Sequence, residues 1–128
     1  MIDHISLPVA DYEASLALYD AVMKTLGYDR VFDLDMPGFA TSAYGEPEGA
    51  PIFWIGPGEG GRALGGHHIA FAARKRADVD AFHEAGLKAG AADNGPPGLR
   101  PQYHEHYYAA FLTDLDGHHI EAVCHAPY

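Results

Sequence analysis

Asp3-His4-Ile5-Ser6-Leu7-Pro8-Val9 and His67-His68-Ile69-Ala70-Phe71-Ala72-Ala73 are two versions of one phrase. Each sets a histidine before an alternating apolar run, and a stretch of helical periodicity follows both. A self-similarity of this kind fixes the architecture before any single residue is interpreted. A third alternating run, Asp116-Gly117-His118-His119-Ile120-Glu121-Ala122-Val123, lies near the end and carries a carboxylate in its middle.

Period-two alternation with β-branched residues reads as a half-buried strand. Pro8 marks the end of the first strand or an edge position, because it cannot donate to a ladder. Asp11 is suited to cap a helix on which Leu16, Tyr19, Val22, Met23 and Leu26 recur at helical spacing, with Gly27 as its stop. Residues 28–35 and 39–44 read as strands joined around Met36-Pro37-Gly38, and residues 52–55 as a fourth. The second half repeats the order. Residues 67–73 form a strand. Residues 76–89 form a helix with Val79, Phe82 and Leu87 inward. Residues 91–93 begin a strand, Asn94-Gly95-Pro96-Pro97-Gly98 forces a turn, and residues 107–113 and 120–125 are strands. The segment from Asn94 to His106 is then a long loop, of the sort that often carries function. The expectation is a single α+β domain over residues 1–128. It contains a βαβββ module over about 1–56, a glycine-rich linker over about 57–66 and a second module over about 67–128. The linker glycines have no helix after them, so they do not make a nucleotide-binding fingerprint.

Facing matters more than order. Ile5, Leu7 and Val9, then Ile69, Phe71 and Ala73, then Ile120, Ala122 and Cys124, fall on the side that would meet the helices. His4 and Ser6, His68 and Ala70, and His119 and Glu121 fall on the other side. One histidine on a strand is ordinarily a surface residue. A glutamate inside an apolar strand is costly unless a cation meets it. Residues of this type at equivalent places in a repeat reinforce one another as a metal site.

Composition excludes several classes. Eight Lys and Arg stand against 18 Asp and Glu, a net charge of −10, and such a field repels nucleic acid. The bland reading of that charge is solubility, and the sharp one is a cleft for a cationic ligand. No stretch approaches the roughly 20 apolar residues of a membrane span. The N-terminal residues lack the basic and apolar regions of a signal peptide. One cysteine, Cys124, excludes an intrachain disulfide. Cytoplasmic localisation is the expectation.

The whole chain resembles the vicinal oxygen chelate superfamily, which includes glyoxalase I, bleomycin-resistance proteins, fosfomycin-resistance thiol transferases and extradiol dioxygenases. The motifs that carry the resemblance are His4-Ile5-Ser6-Leu7, His68-Ile69-Ala70-Phe71 and Asp114-Leu115-Asp116-Gly117-His118-His119-Ile120-Glu121. It implies two βαβββ modules whose curved mixed sheets enclose a metal cleft. His4, His68 and Glu121 are then the metal ligands. Matching Ile52 to Ile120 sets Phe53 opposite Glu121, so a fourth ligand is missing and glyoxalase I is the poorer match. Two histidines and a glutamate leave open positions on a divalent ion, with Fe2+, Mn2+, Ni2+ and Zn2+ all admissible.

The implied function is that of a divalent-metal-dependent enzyme, a lyase, isomerase or extradiol-type dioxygenase. Its small-molecule substrate would chelate the ion through adjacent oxygens. The alternative is a metal-free binding protein of the bleomycin-sequestering type. Homodimers are expected. Arg100-Pro101-Gln102-Tyr103-His104-Glu105-His106-Tyr107-Tyr108 could wall the cleft. In it His104 is a candidate acid or base and Tyr107 and Tyr108 candidate donors, with Arg100 able to hold a carboxylate. Ser6, Phe53, Tyr103 and Phe111 complete the candidate substrate contacts. Phe111 stands ten residues before Glu121, where extradiol dioxygenases and fosfomycin-resistance enzymes carry a tyrosine. Neither activity therefore transfers cleanly.

Overall fold

The computed structural model of the chain describes residues 1–58 and 67–128. Most of the expected linker, residues 59–66, lies outside them. In chain order the elements are β1 (Ile5–Val9), α1 (Tyr12–Thr25), β2 (Asp29–Met36), β3 (Phe39–Gly45) and β4 (Phe53–Pro57), followed by β5 (His68–Ala72), α2 (Arg76–Lys88), β6 (Ala92–Leu99), β7 (Tyr108–Thr113) and β8 (His119–Cys124). Each half is a βαβββ module. The strand orders are β1-β4-β3-β2 and β5-β8-β7-β6, two mixed sheets with the same topology. No described helix is long and apolar enough to cross a membrane.

The local signals act as the chemistry demands. Asp11 caps α1 by accepting from the Ala14 N–H at 3.1 Å, and Gly27 follows the helix at φ 83°. Pro8 sits in β1, an edge strand, so its missing N–H costs no ladder bond. The helices pack on the same side of both sheets. Leu18, Tyr19, Val22 and Met23 of α1 and Val79 and Phe82 of α2 bury against Ile55, Leu112 and Ile120. Leu87, expected inward, is exposed. Gly86 takes the buried position one residue earlier, where a Cβ would collide with Leu112.

The expected turn at residues 94–98 is instead a strand. β6 runs through Asn94-Gly95-Pro96-Pro97-Gly98 and pairs with β7, with register shifts between Asp93 and Gly95 and between Gly95 and Gly98. Two prolines are tolerated because β6 is the other sheet's edge and the bulges absorb the lost donors.

The modules are joined through the acidic turn before β8. Asp114 is buried. Its Oδ2 accepts from the Tyr19 hydroxyl of α1 at 2.5 Å, and its Oδ1 accepts from the N–H groups of Asp116 and His118. Asp116 accepts from the Ala10 N–H at 2.9 Å, and His118 Nε2 lies 3.0 Å from the Pro8 carbonyl, to which it donates. The Asp114-Leu115-Asp116-Gly117 sequence thus holds one module to the other.

Candidate metal centre and cleft

The register decides which residues share the second sheet's open face. Ala70 pairs with Glu121, and Glu121 with Phe111, so all three point to the side away from the helices. His68 pairs with His119 on that same side. Glu121 is fully buried although it lies on this face. Its Oε1 accepts from the Tyr107 hydroxyl. Its Oε2 is buried with no hydrogen-bond partner, 3.2 Å from His68 Nε2 but not aligned with it for a hydrogen bond. A nitrogen and an oxygen so placed can both point at a third atom. Two donors at right angles on one ion, each about 2.1 Å from it, stand about 3 Å apart. An orphaned buried carboxylate oxygen beside an exposed imidazole therefore fits a divalent cation.

Burial, and then the hydrogen bond to Glu121, push the Tyr107 phenol well above its ordinary pKa. It stays protonated and remains a donor that fixes the carboxylate. Tyr103, His104 and His125 pack edge-on against the Tyr107 ring, with centroids 5.0, 5.3 and 5.4 Å away. The tautomers of the two imidazoles follow from their neighbours. The His106 N–H can only donate, and it does so to His104 Nδ1 at 3.2 Å. The proton of neutral His104 therefore sits on Nε2, which donates to His125 Nδ1 at 2.7 Å. The rings lie 4.8 Å apart and 19° from parallel, close to the in-line arrangement of an imidazole pair. His125 is left with its proton on Nε2.

Several expected site residues lie elsewhere. Phe53 is in the core, 5.0 Å from both Tyr19 and Phe71. Ile5 pairs with Phe53 as Ile69 pairs with Ile120, so the counterpart of Glu121 is Trp54. Matching Ile52 to Ile120 was one residue out of register. Tyr108 has the opposite parity to Tyr107. Its hydroxyl donates to Asp80 of α2 at 2.6 Å, and Arg76 lies over its ring, away from the open face. His4 does not join His68 and Glu121: among the described residues no group of three His, Cys, Asp or Glu side chains is placed to hold a metal. The repeat gives His4 the equivalent place in its own module, on that module's open face. There, beside Ser6 and Trp54, it lines a groove of about 1220 Å³ floored by the first sheet. The Trp54 ring lies 6.3 Å from His4 and 5.2 Å from Phe32, and its Nε1 is buried without a partner.

Trp54, His119 and His125 face the cleft without being among the expected site residues. Strand parity carries the signal, since Trp54 is one residue from the core residue Phe53 on β4 and His125, just past the end of β8, is four from Glu121.

A paired-module fold with an acid and an imidazole converging on one open sheet face defines the class. A sequence model of the Glyoxalase/Bleomycin resistance protein/Dioxygenase superfamily matches residues 1–122, and the chain belongs to that superfamily. A glyoxalase/bleomycin resistance protein from Albidiferax ferrireducens T118 is 32% identical, with 97% of this chain and 98% of that one covered and a TM-score of 0.79. The fosfomycin resistance protein FosX from Mesorhizobium loti is 22% identical over 96% of this chain and 90% of its own, at a TM-score of 0.68. A mutant of the FosX protein from Listeria monocytogenes, complexed with Mn(II) and 1S,2S-dihydroxypropylphosphonic acid, is 20% identical over 96% of this chain and 88% of its own, at 0.65. At that identity the FosX structures share the fold. No curated protein sequence matches the chain.

Proposed function

We propose that the protein is a divalent-metal-dependent enzyme of the glyoxalase and dioxygenase type, acting on a small substrate that chelates through adjacent oxygens. The observation that carries this reading is the buried, unpartnered Oε2 of Glu121 beside His68 Nε2. His68 and Glu121 supply two donors. The third is the partner subunit's His4, brought when the first-module groove of a second copy closes over the second-module cleft. A bound ion would act as a Lewis acid on the substrate oxygens.

The remaining groups bind and position. Tyr107 fixes Glu121 so that one oxygen faces the cleft. Phe111, opposite Glu121 on β7, is a platform with no proton to give, so the proton-moving groups are His104 and His125. Tyr103 supplies a hydroxyl to the substrate, and the partner subunit's Ser6, which lies beside the partner's His4, supplies another. Fe2+, Mn2+, Ni2+ and Zn2+ all suit a His2Glu donor set with open positions.

The test is elemental analysis of untagged protein. Stoichiometric metal that disappears in His68→Ala, with the circular dichroism spectrum intact, supports the enzyme. A second reading rests on the aromatic lining of the first-module groove, where Trp54 and Phe39 could sequester a flat ligand. Protein that takes up no divalent metal under any condition favours that reading.

A further inference from the structure

Arg100 is a cation on the open face of the second sheet that meets no carboxylate. Acids outnumber bases 18 to 8, so partners abound. Arg30 pairs with Asp20 and Asp33, and Arg74 with Glu46. Arg100, like Arg76, Lys24 and Lys75, makes no ion pair among the described residues, but Arg76 lies on the helix side over Tyr108 and Arg100 lies over Phe111. Its guanidinium donates to the Pro96 carbonyl at 2.6 Å and lies over the Phe111 ring, 5.4 Å from the centroid. Phe111 is the direct cross-strand neighbour of Glu121, so the charge sits on the open face of the second sheet.

β6 is built to admit it. A Cβ on Gly95 would come to 3.0 Å from Phe111 and 3.4 Å from the Arg100 guanidinium. One on Gly98 would come to 3.1 Å from the same group. Gly95 also holds φ 146°. The Gly95-Pro96-Pro97-Gly98 bulges are therefore a cradle that presses the guanidinium onto an aromatic face. One carbonyl uses a single N–H, and the remaining N–H donors of the fork are left for a ligand. A planar fork held this way matches a planar carboxylate through two parallel hydrogen bonds. One positive charge in a strongly acidic chain suits a singly charged carboxylate better than a doubly charged phosphoryl group.

We propose that Arg100 anchors the distal carboxylate of a substrate whose chelating oxygens lie at His68 and Glu121, so that the substrate class is a 2-hydroxy or 2-oxo dicarboxylic acid. This rests on the metal reading above.

The test titrates Mn2+-loaded protein with malate, 2-hydroxyglutarate and 2-hydroxyadipate, each against its monoacid counterpart, by water-proton relaxation. One diacid should bind at least about tenfold more tightly than its monoacid, the gain of a charge-assisted bidentate pair. Arg100→Gln should erase that gain and leave monoacid affinity within about twofold, since the chelating head is untouched. Arg100→Lys should recover only part of it, because it keeps the charge and loses the fork. An unchanged diacid-to-monoacid ratio in Arg100→Gln overturns the proposal, and so does a series in which no diacid gains. A 2-phosphonate analogue that outbinds every diacid also overturns the carboxylate assignment. Failure of the protein to bind Mn2+ refutes the metal reading instead. The anchor is then read in metal-free protein from the Arg100 Nε–H resonance: a shift with glutarate that Arg100→Gln abolishes sustains it, and no shift overturns it.

Discussion

His68 Nε2 and Glu121 Oε2 lie 3.2 Å apart without forming a hydrogen bond, one on an exposed imidazole and the other on a carboxylate with no solvent access. In the metal-free protein this oxygen is a liability, because a buried unpartnered carboxylate costs free energy. Glu121→Gln keeps the volume and removes the charge. It should raise metal-free stability by about 1–2 kcal/mol while weakening divalent metal binding by at least about 100-fold. Thermal melts with and without chelator, beside a metal titration, check both signs. A variant that melts lower and binds metal normally contradicts the assignment.

Tyr107 acts on the other carboxylate oxygen. Tyr107→Phe leaves Oε1 without its donor, and the folded protein should lose about 1–3 kcal/mol by chemical denaturation. Tyr108→Phe is the parity control, since its partner is the exposed Asp80. It should cost less than about 1 kcal/mol, and an equal loss in both variants would refute the division of faces.

The tie between modules predicts strong coupling. Asp114 accepts three hydrogen bonds from a buried position, so Asp114→Ala should destabilise by about 2–4 kcal/mol, and Tyr19→Phe by about 1–2 kcal/mol. In a double-mutant cycle the two should couple by about 1–2 kcal/mol. Additive losses would mean that the hydroxyl and the carboxylate act independently.

Alkaline pH should unfold the chain through its phenols. Burial, followed by Asp114, raises Tyr19, and burial, followed by the bond to Asp20, raises Tyr44, both from 10.0. Below that value neither state ionises and the full stability is present. Above it the unfolded chain ionises while the folded phenols resist, so stability falls as pH climbs through and beyond about 10. Melting temperature should be steady to about pH 9 and fall by about pH 11, with tyrosinate absorbance appearing on unfolding. A flat melting curve across that range would contradict it.

Asp93 works at the other end of the scale. The Gly95 N–H and then His83 hold its carboxyl below the ordinary 3.8. Its contribution is complete above that value and lost as pH falls below it.

Much of this was legible in the chain. Two modules and both helices follow from periodicity, and α1 also from capping, because Asp11 and Gly27 do locally what their chemistry dictates, whereas α2 starts at Lys75 with no side-chain cap. The Pro96-Pro97 pair misleads because its turn signal is local, whereas the edge position and paired bulges that let β6 continue are tertiary facts. Phe53 and Trp54, like Tyr107 and Tyr108, differ by one residue, and one residue reverses a strand's face. An apolar pattern fixes that parity only when the strand's first residue is known. The Asp114-Leu115-Asp116-Gly117 turn marks the family in sequence, but only packing gives it a physical task, that of clamping α1 to β8. Separation of His4 from its expected companions is likewise invisible in a repeat, which fixes equivalent places in two sheets and not their distance.

The central claim, a site completed by a second copy, is tested by mixing subunits. His4→Ala and Glu121→Gln should each purify without metal. When the two are unfolded together and refolded, half of the mixed dimers' sites carry neither lesion. The account predicts recovery of about one bound divalent ion per mixed dimer. Normal metal content in His4→Ala alone, or mixed dimers that stay empty, would contradict it.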